Sequence, residues 1–271
     1  MPIEPPIETP RTLGDAYAIL ASGPHRPIAG GTDVMVQITG EIGPPPDRMI
    51  DLWALDELRG IAVEGGAVTL GALTTYTQIR RSAVCREHLP GLVEAAATIG
   101  AAQIQNRGTI GGNVANASPA GDTLPVLLAT DAEIVVGGAH GERTIPVEDF
   151  WVAYRKTALA PDELVVRIRI PLVAGREVRF RKIGTRRAQA ISKVVMAAVR
   201  GPRPRIALGS VAPTVIRLSN VERALSDGAD MNEAVGRLDE DIRPIDDLRS
   251  TGAYRRDVAA NLLRRFWAET V

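Results

Sequence analysis

Two glycine pairs stand where this chain could grip an anion. The first lies in Pro27-Ile28-Ala29-Gly30-Gly31-Thr32-Asp33-Val34, where a short apolar stretch runs into two glycines and a polar helix start. The second lies in Thr109-Ile110-Gly111-Gly112-Asn113-Val114-Ala115-Asn116-Ala117-Ser118-Pro119-Ala120-Gly121-Asp122. Glycine tolerates positive φ and carries no Cβ, so successive backbone amides can converge on a phosphate. A helix N-terminus adds a positive dipole end. Each stretch also has a purely structural reading. The first is then a strand–turn–helix corner, and the second a long loop with Asp122 as N-cap of the next helix. The two together say more than either alone, because facing turns from separate lobes could clasp a diphosphate. Neither is a P-loop or a G-x-G-x-x-G fingerprint. No G-x-S-x-G occurs, and no histidine neighbours a nucleophile.

The elements that must position these turns follow from periodicity. Leu13 to Ser22 carries Leu13, Tyr17 and Leu20 at helical spacing and stops at Gly23-Pro24. Arg26 to Ala29 and Met49 to Leu52 read as strands, with a helix from Thr32 or Asp33 through Gln37 between them. The first 50 or so residues thus form a β-α-β-α-β unit, on the order of one small lobe. Ile61–Glu64 and Ala67–Leu70 flank Gly65-Gly66 as a hairpin. Thr75–Arg81, Leu92–Thr98 and Thr123–Thr130 read as helices. Ile134–Val136 and Arg143–Pro146 form a second hairpin. Leu164 to Ile170 alternates as a half-exposed strand closed by Pro171. Strands follow at Val178–Lys182, Ile191–Val199 and Ile206–Ser210, and helices at Met231–Leu238 and Tyr254–Thr270. A domain boundary falls near residues 171–177. The expected division is 1–172, with lobes of about 1–55 and 56–172, and then 173–271.

Composition narrows the chemistry. The 271 residues are 45% hydrophobic and 24% charged, ordinary for a globular protein, and no apolar run is long enough for a membrane span. The start holds Glu4, Glu8 and several prolines, unlike a secretory signal, and a cytoplasmic location is expected. Cys85 is the one cysteine, so the chain cannot form an intrachain disulfide or ligate an iron–sulfur cluster. His25, His88 and His140 are scattered, which argues against zinc. Redox chemistry here would therefore need an organic cofactor. The formal net charge is zero but unevenly spread: −9 over residues 1–149, +11 over 150–205 and −2 over 206–271. The basic stretch fits solvated strand faces or a surface for an acidic partner or anionic cofactor. Without interleaved aromatics it does not suit nucleic acid. Only Lys156, Lys182 and Lys193 are lysines in an arginine-rich background, and a compact ammonium suits a tight site that Arg cannot enter.

The two glycine turns, in order with Asp162-Glu163-Leu164 to Pro171, Ala207-Leu208-Gly209-Ser210-Val211-Ala212-Pro213-Thr214 and Pro244-Ile245-Asp246-Asp247-Leu248-Arg249, resemble the flavoprotein subunit of the molybdenum hydroxylases. That family includes the medium subunit of aerobic carbon monoxide dehydrogenase and the FAD domain of xanthine dehydrogenase. The resemblance implies an α+β chain. A two-subdomain FAD-binding fold of the vanillyl-alcohol-oxidase (PCMH) type comes first, then a C-terminal domain with a small antiparallel sheet and helices. It implies noncovalent FAD, with His25, the histidine nearest the first turn, left as a surface residue. By position, Ile28, Ala29, Gly30, Gly31, Thr32, Asp33 and Val34 would wrap the diphosphate and approach the flavin. Thr109, Ile110, Gly111, Gly112 and Asn113 would contact it from the other side. Asp122 would accept hydrogen bonds from the adenosine ribose, Val165 would lend its backbone near the adenine or the flavin, and Lys182 would sit beside the isoalloxazine.

The resemblance also implies partners. These are a small subunit with iron–sulfur clusters and a large subunit with the molybdenum cofactor, assembled as a dimer of heterotrimers. Electrons would pass from the clusters to FAD and on to NAD, oxygen or another acceptor. No acid, base or nucleophile is expected on this chain, since the cofactor carries the chemistry. Cys85 alone excludes the cluster-bearing insertion of some relatives, and Val199 to Arg205 is short for the family's hairpin there. The competing readings are a stand-alone flavin oxidoreductase with its own substrate pocket and an assembly subunit that has lost its flavin.

Overall fold

The computed structural model describes residues 5–40 and 43–270. Met1–Glu4, Glu41, Ile42 and Val271, and with them the Glu4 part of the acidic start, lie outside the described residues. The first lobe is a three-stranded parallel sheet in which Met49–Asp51 lies between Ile7–Glu8 and Arg26–Ile28. The β-α-β-α-β unit read from the sequence is therefore present, with a first strand of only two residues. Helix Leu13–Ala21 is fixed by a capping box, in which Thr12 accepts from the Asp15 amide and Asp15 accepts from the Thr12 amide. It buries Ala16 and Leu20 against Ile50 and Leu52. His25 is not a surface residue. Its side chain is fully buried, with the ring nitrogens 2.8 Å from the Gly23 carbonyl and 2.9 Å from Glu8.

The second lobe is a five-stranded antiparallel sheet in the order Ile61–Glu64, Ala67–Gly71, Leu164–Pro171, Glu133–Gly138, Gly141–Pro146. Both predicted hairpins are there, and the late strand Leu164–Pro171 inserts between them. One face carries helices Tyr76–Arg81, Pro90–Thr98, Ile110–Asn116 and Leu124–Ala129 over a shared apolar core. The expected loop from residue 109 to 122 is half helix. Thr109 accepts from the Gly112 amide and starts Ile110–Asn116, and Ala117 ends it at φ 49°. A run of Gly-Gly and Asn carries little helix propensity, so only the cap and the buried Ile110 and Val114 hold it. Helices Ala83–His88, Ala102–Arg107 and Ser219–Ser226 also escaped the periodicity reading. The first two span six residues each, too short to show a stripe.

The third layer is an antiparallel meander, Val178–Ile183, Val194–Val199, Arg205–Gly209 and Ile216–Arg217. Strand Val194–Val199 explains its own sequence, since all six residues are buried. Val195 and Ala197 face the core of the second lobe, while Val194, Met196 and Ala198 face the C-terminal helices. The strand begins at Val194, three residues later than periodicity predicts, and Ile191 is exposed. The closing helix runs Gly252–Glu269, and the predicted Met231–Leu238 helix breaks at Gly236. The sheet is thus sandwiched between the two halves of the chain, whose packing is continuous.

Charge crosses the same seam. Half of the basic residues of the middle stretch are matched by acids of the chain itself: Arg167 pairs with Glu142, Arg169 with Glu133, Arg181 with Glu269 and Lys182 with Asp122. Asp131, at φ 52° after helix Leu124–Ala129, pairs with Arg176 at 2.9 Å, Arg217 at 3.0 Å and Arg205 at 3.3 Å. Arg217 also bridges to Glu222 at 2.6 Å. Asp131→Asn keeps the residue's tolerance for positive φ but removes the charge that gathers three arginines. Because Asp131 is 39% exposed, the expected loss is modest, about 1–2 kcal/mol, read as a lower urea midpoint. An unchanged midpoint would show that the seam rests on apolar packing alone.

Candidate functional site

The first glycine turn and the second segment meet directly. A Cβ on Gly30 would stand 1.8 Å from the Arg107 carbonyl oxygen and 3.1 Å from the Gly108 nitrogen. Glycine is required there because two backbones touch. Arg107 in turn lays its guanidinium 3.7 Å from the Trp53 ring centroid, which fixes that segment against the first lobe. Gly31 follows at φ +76°, the left-handed region. Side chains then tie the segments together. Asn116 donates to Asp33 at 2.9 Å, and Arg155 donates to the Asn116 side-chain Oδ1 at 2.9 Å. Burial pushes the Asp33 carboxyl up, with Arg155 and Asn116 opposing.

Two cavities open at this contact. One of about 340 Å³ is lined by Ala29 to Val34, Thr109, Gly111, Gly112, Asn113 and Val165. The other, about 650 Å³, runs past Ser118, Asp122 and Ser192 toward Arg249 and Arg255 of the C-terminal layer. Both are lined by Thr32, Asp33, Tyr76, Asn113, Asn116 and Arg155, so they form one cleft with a waist between the glycine turns. The volumes suit a bound cofactor.

The amides of the two turns are not equivalent. Those of Gly30, Gly31, Thr32 and Asp33 have no protein acceptor among the described residues. In the second turn the four amides from Ile110 to Asn113 are engaged, and only that of Thr109 has no acceptor among the described residues. Ile110 donates to Thr74, Gly111 to Ala72, Gly112 to the Thr109 hydroxyl and Asn113 to the Thr109 carbonyl. The picture of two amide-lined corners therefore needs correction. The first turn presents free donors at the waist, and the second presents side chains on the helix it starts. Asn113 and Asn116, one turn apart, lie on the cleft side. Ile28 ends its strand and lines neither cavity; its carbonyl accepts from the Leu52 amide. Ile110 is fully buried core.

Asp122 and Lys182 occupy one spot. The Lys182 Nζ lies 2.5 Å from Asp122 and 3.2 Å from the Thr98 carbonyl, and Ser192 and Thr98 donate to the same carboxylate. Asp122 does not cap the next helix; Thr123 holds that position without a capping bond. Burial pushes the Asp122 carboxyl up, and Lys182 is the largest influence holding it down. Asp122 and Lys182 must therefore serve the same end of any extended ligand. Lys182 itself lines neither cavity and acts from behind Asp122. Val165 lies in the other cavity, toward the opposite end.

Sequence reasoning missed Tyr76, Arg155, Ser192 and Asn116 as lining residues. Tyr76 sat in a predicted helix and Ser192 in a predicted strand, with nothing local to mark them. Asn116 carried a signal, three residues from Asn113 on what proves to be one helix.

Comparison with known proteins places the chain in a family. Residues 3–173 match the FAD binding domain in molybdopterin dehydrogenase, and residues 179–270 match the CO dehydrogenase flavoprotein C-terminal domain. The chain is 33% identical to the carbon monoxide dehydrogenase medium chain of Hydrogenophaga pseudoflava, over 94% of this chain and 93% of that one. It is 31% identical to a xanthine dehydrogenase FAD-binding subunit of Escherichia coli, over 96% and 94%. A solved carbon monoxide dehydrogenase from Hydrogenophaga pseudoflava superposes with a TM-score of 0.90 at 31% identity, covering 98% of this chain and 96% of that chain. The chain belongs to the molybdopterin dehydrogenase FAD-binding family and is an oxidoreductase component with FAD as its cofactor.

Proposed function

We propose that this chain is the FAD-carrying electron-transfer subunit of a multi-subunit molybdenum hydroxylase. It receives electrons from iron–sulfur clusters on a small partner subunit and passes them to an external acceptor such as NAD or oxygen. A large partner subunit oxidises the substrate at a molybdenum cofactor, in a cytoplasmic dimer of heterotrimers. The observation that carries the reading is the row of unengaged amides, Gly30 to Asp33, at the waist of a cleft with an arm on each side.

The donor set suits FAD. Free amides at a left-handed glycine favour the diphosphate, and the cavities on either side leave room for the two ends of a dinucleotide. When bound, FAD supplies reversible two-electron chemistry. The chain's own residues bind and tune. Gly30 to Asp33 orient the diphosphate, and Asn113, Asn116 and Arg155 wall the waist. Val165 borders the adenosine arm. Asp122 borders the flavin arm, with Lys182 behind it supplying positive charge. Assigning both to the flavin arm replaces the division in which Asp122 contacts the adenosine ribose. The buried pair also fixes strand Val178–Ile183 to the loop before helix Leu124–Ala129, so the flavin arm is shaped by both halves of the chain.

The purified chain is expected to be yellow, to release FAD on denaturation, and to oxidise no organic substrate by itself. Added with its iron–sulfur partner, the FAD is expected to be reduced by electrons delivered through that partner. A colourless chain that ignores added FAD would overturn the reading. Turnover of an organic substrate by the isolated chain would show a stand-alone flavin enzyme.

A further inference from the structure

Tyr76 lines the waist with a polar atom that neither the sequence reading nor the turns explain, and unlike Arg155 and Asn116 it is not tied to another side chain there. Its side chain is 4% exposed. Its ring packs against Gly108, where a Cβ would meet ring carbon Cε2 at 2.8 Å. Among the described residues Tyr76 hydrogen-bonds through its backbone amide, to the Gly108 carbonyl, and its hydroxyl has no protein partner. The oxygen is nevertheless not sealed in, and Tyr76 lines both cavities where they join. A buried phenol usually finds a partner. Here the space it reaches is the cleft itself.

We infer that the Tyr76 hydroxyl donates a hydrogen bond to the diphosphate of bound FAD, opposite the free amides of Gly30 to Asp33. This deepens the proposed function and rests on FAD lying along the cleft. Burial holds the phenol pKa well above its usual value, and the Asp33 and Asp122 carboxylates add to that effect. The proton therefore stays on the oxygen, and the group is a donor at any working pH. A neutral donor suits this place. Asp33 is nearby, and a further fixed charge would have to be desolvated there. The ring also forms part of the waist wall, so a flavin or adenine slid to the wrong depth would meet it.

The test uses Tyr76→Phe in the full chain, which keeps the ring against Gly108, with melting in the absence of flavin as a check that folding is intact. FAD and ADP, which share a diphosphate, are titrated into flavin-free wild type and variant, with ADP read by displacement of FAD. The inference expects both ligands to bind about tenfold more weakly to the variant, by a common factor. Equal affinities in wild type and variant would overturn it while leaving FAD binding in the cleft intact. Weakening for FAD with none for ADP would also overturn it, placing the hydroxyl on the flavin side. A wild-type chain that binds neither ligand would fail the underlying reading instead.

Discussion

Lys182→Met is expected to destabilise the chain by about 3–5 kcal/mol at neutral pH, because it leaves the Asp122 carboxylate buried without its cation. Asp122 and Lys182 have side chains only 7% and 11% exposed, so water cannot replace the lost partner. Ser192 and Thr98 still donate to the carboxylate but bring no charge. The loss should depend on pH in a definite direction. Burial already pushes the Asp122 carboxyl up in the folded chain, and removing Lys182 takes away the largest influence opposing it. A group that holds its proton more tightly when folded stabilises at low pH, and that contribution disappears as pH rises through the folded value. The deficit of the variant relative to wild type should therefore be small near the unfolded carboxyl value, about pH 4, and grow to a plateau toward neutrality. Lys182→Met combined with Asp122→Leu removes both charges and should recover most of the stability. On the proposed placement of FAD it should still retain the cofactor less well, because the ion pair bordering the larger cavity is gone. Urea midpoints at several pH values check this. A deficit independent of pH would show that Asp122 is not the group left stranded.

Gly30→Val should do comparable damage for a different reason. Its Cβ would enter the Arg107 carbonyl, which is backbone and cannot rotate away. The turn must open, at a cost of about 1–3 kcal/mol or more, and the free amides move with it. Flavin content should fall to near zero even in the fraction that folds. Gly112→Ala is the contrasting case. Its Cβ would meet only the Thr109 hydroxyl, at 2.9 Å, a side-chain atom that also caps this helix, so the loss should be that of a weakened cap, about 1 kcal/mol, with flavin largely retained. Absorbance per chain and a melting curve for each variant decide the matter. Full flavin content in Gly30→Val would remove the first turn from the site.

Much of this was legible in the sequence, for identifiable reasons. The hairpins at Gly65-Gly66 and before Arg143 announced themselves because turn glycines flank alternating strands. The first glycine turn could be placed because an apolar strand precedes it and Asp33 follows. The second turn misled. Thr109 looked like part of a long loop, yet its hydroxyl caps a helix, and that cap uses the Gly112 amide, one of those thought to face the ligand. Asp122 looked like a cap because it precedes a helix, but its partners Lys182, Ser192 and Thr98 come from distant stretches. His25 was misplaced for the same reason, since its partner Glu8 is on another strand. Contacts of this kind leave no local trace. The excess of positive charge over residues 150–205 was visible, but its answer was not, because the matching acids, Asp131, Glu133 and Glu142 among them, lie earlier in the chain.

Amide hydrogen exchange, measured on the full chain with and without FAD, tests the central claim most directly. Unpartnered amides exchange quickly until something accepts their hydrogen bonds. The account predicts that FAD slows exchange sharply at Gly30, Gly31, Thr32 and Asp33, while Ile110 to Asn113, already bonded within the protein, change little. Protection centred on the second turn, or on neither, would contradict it.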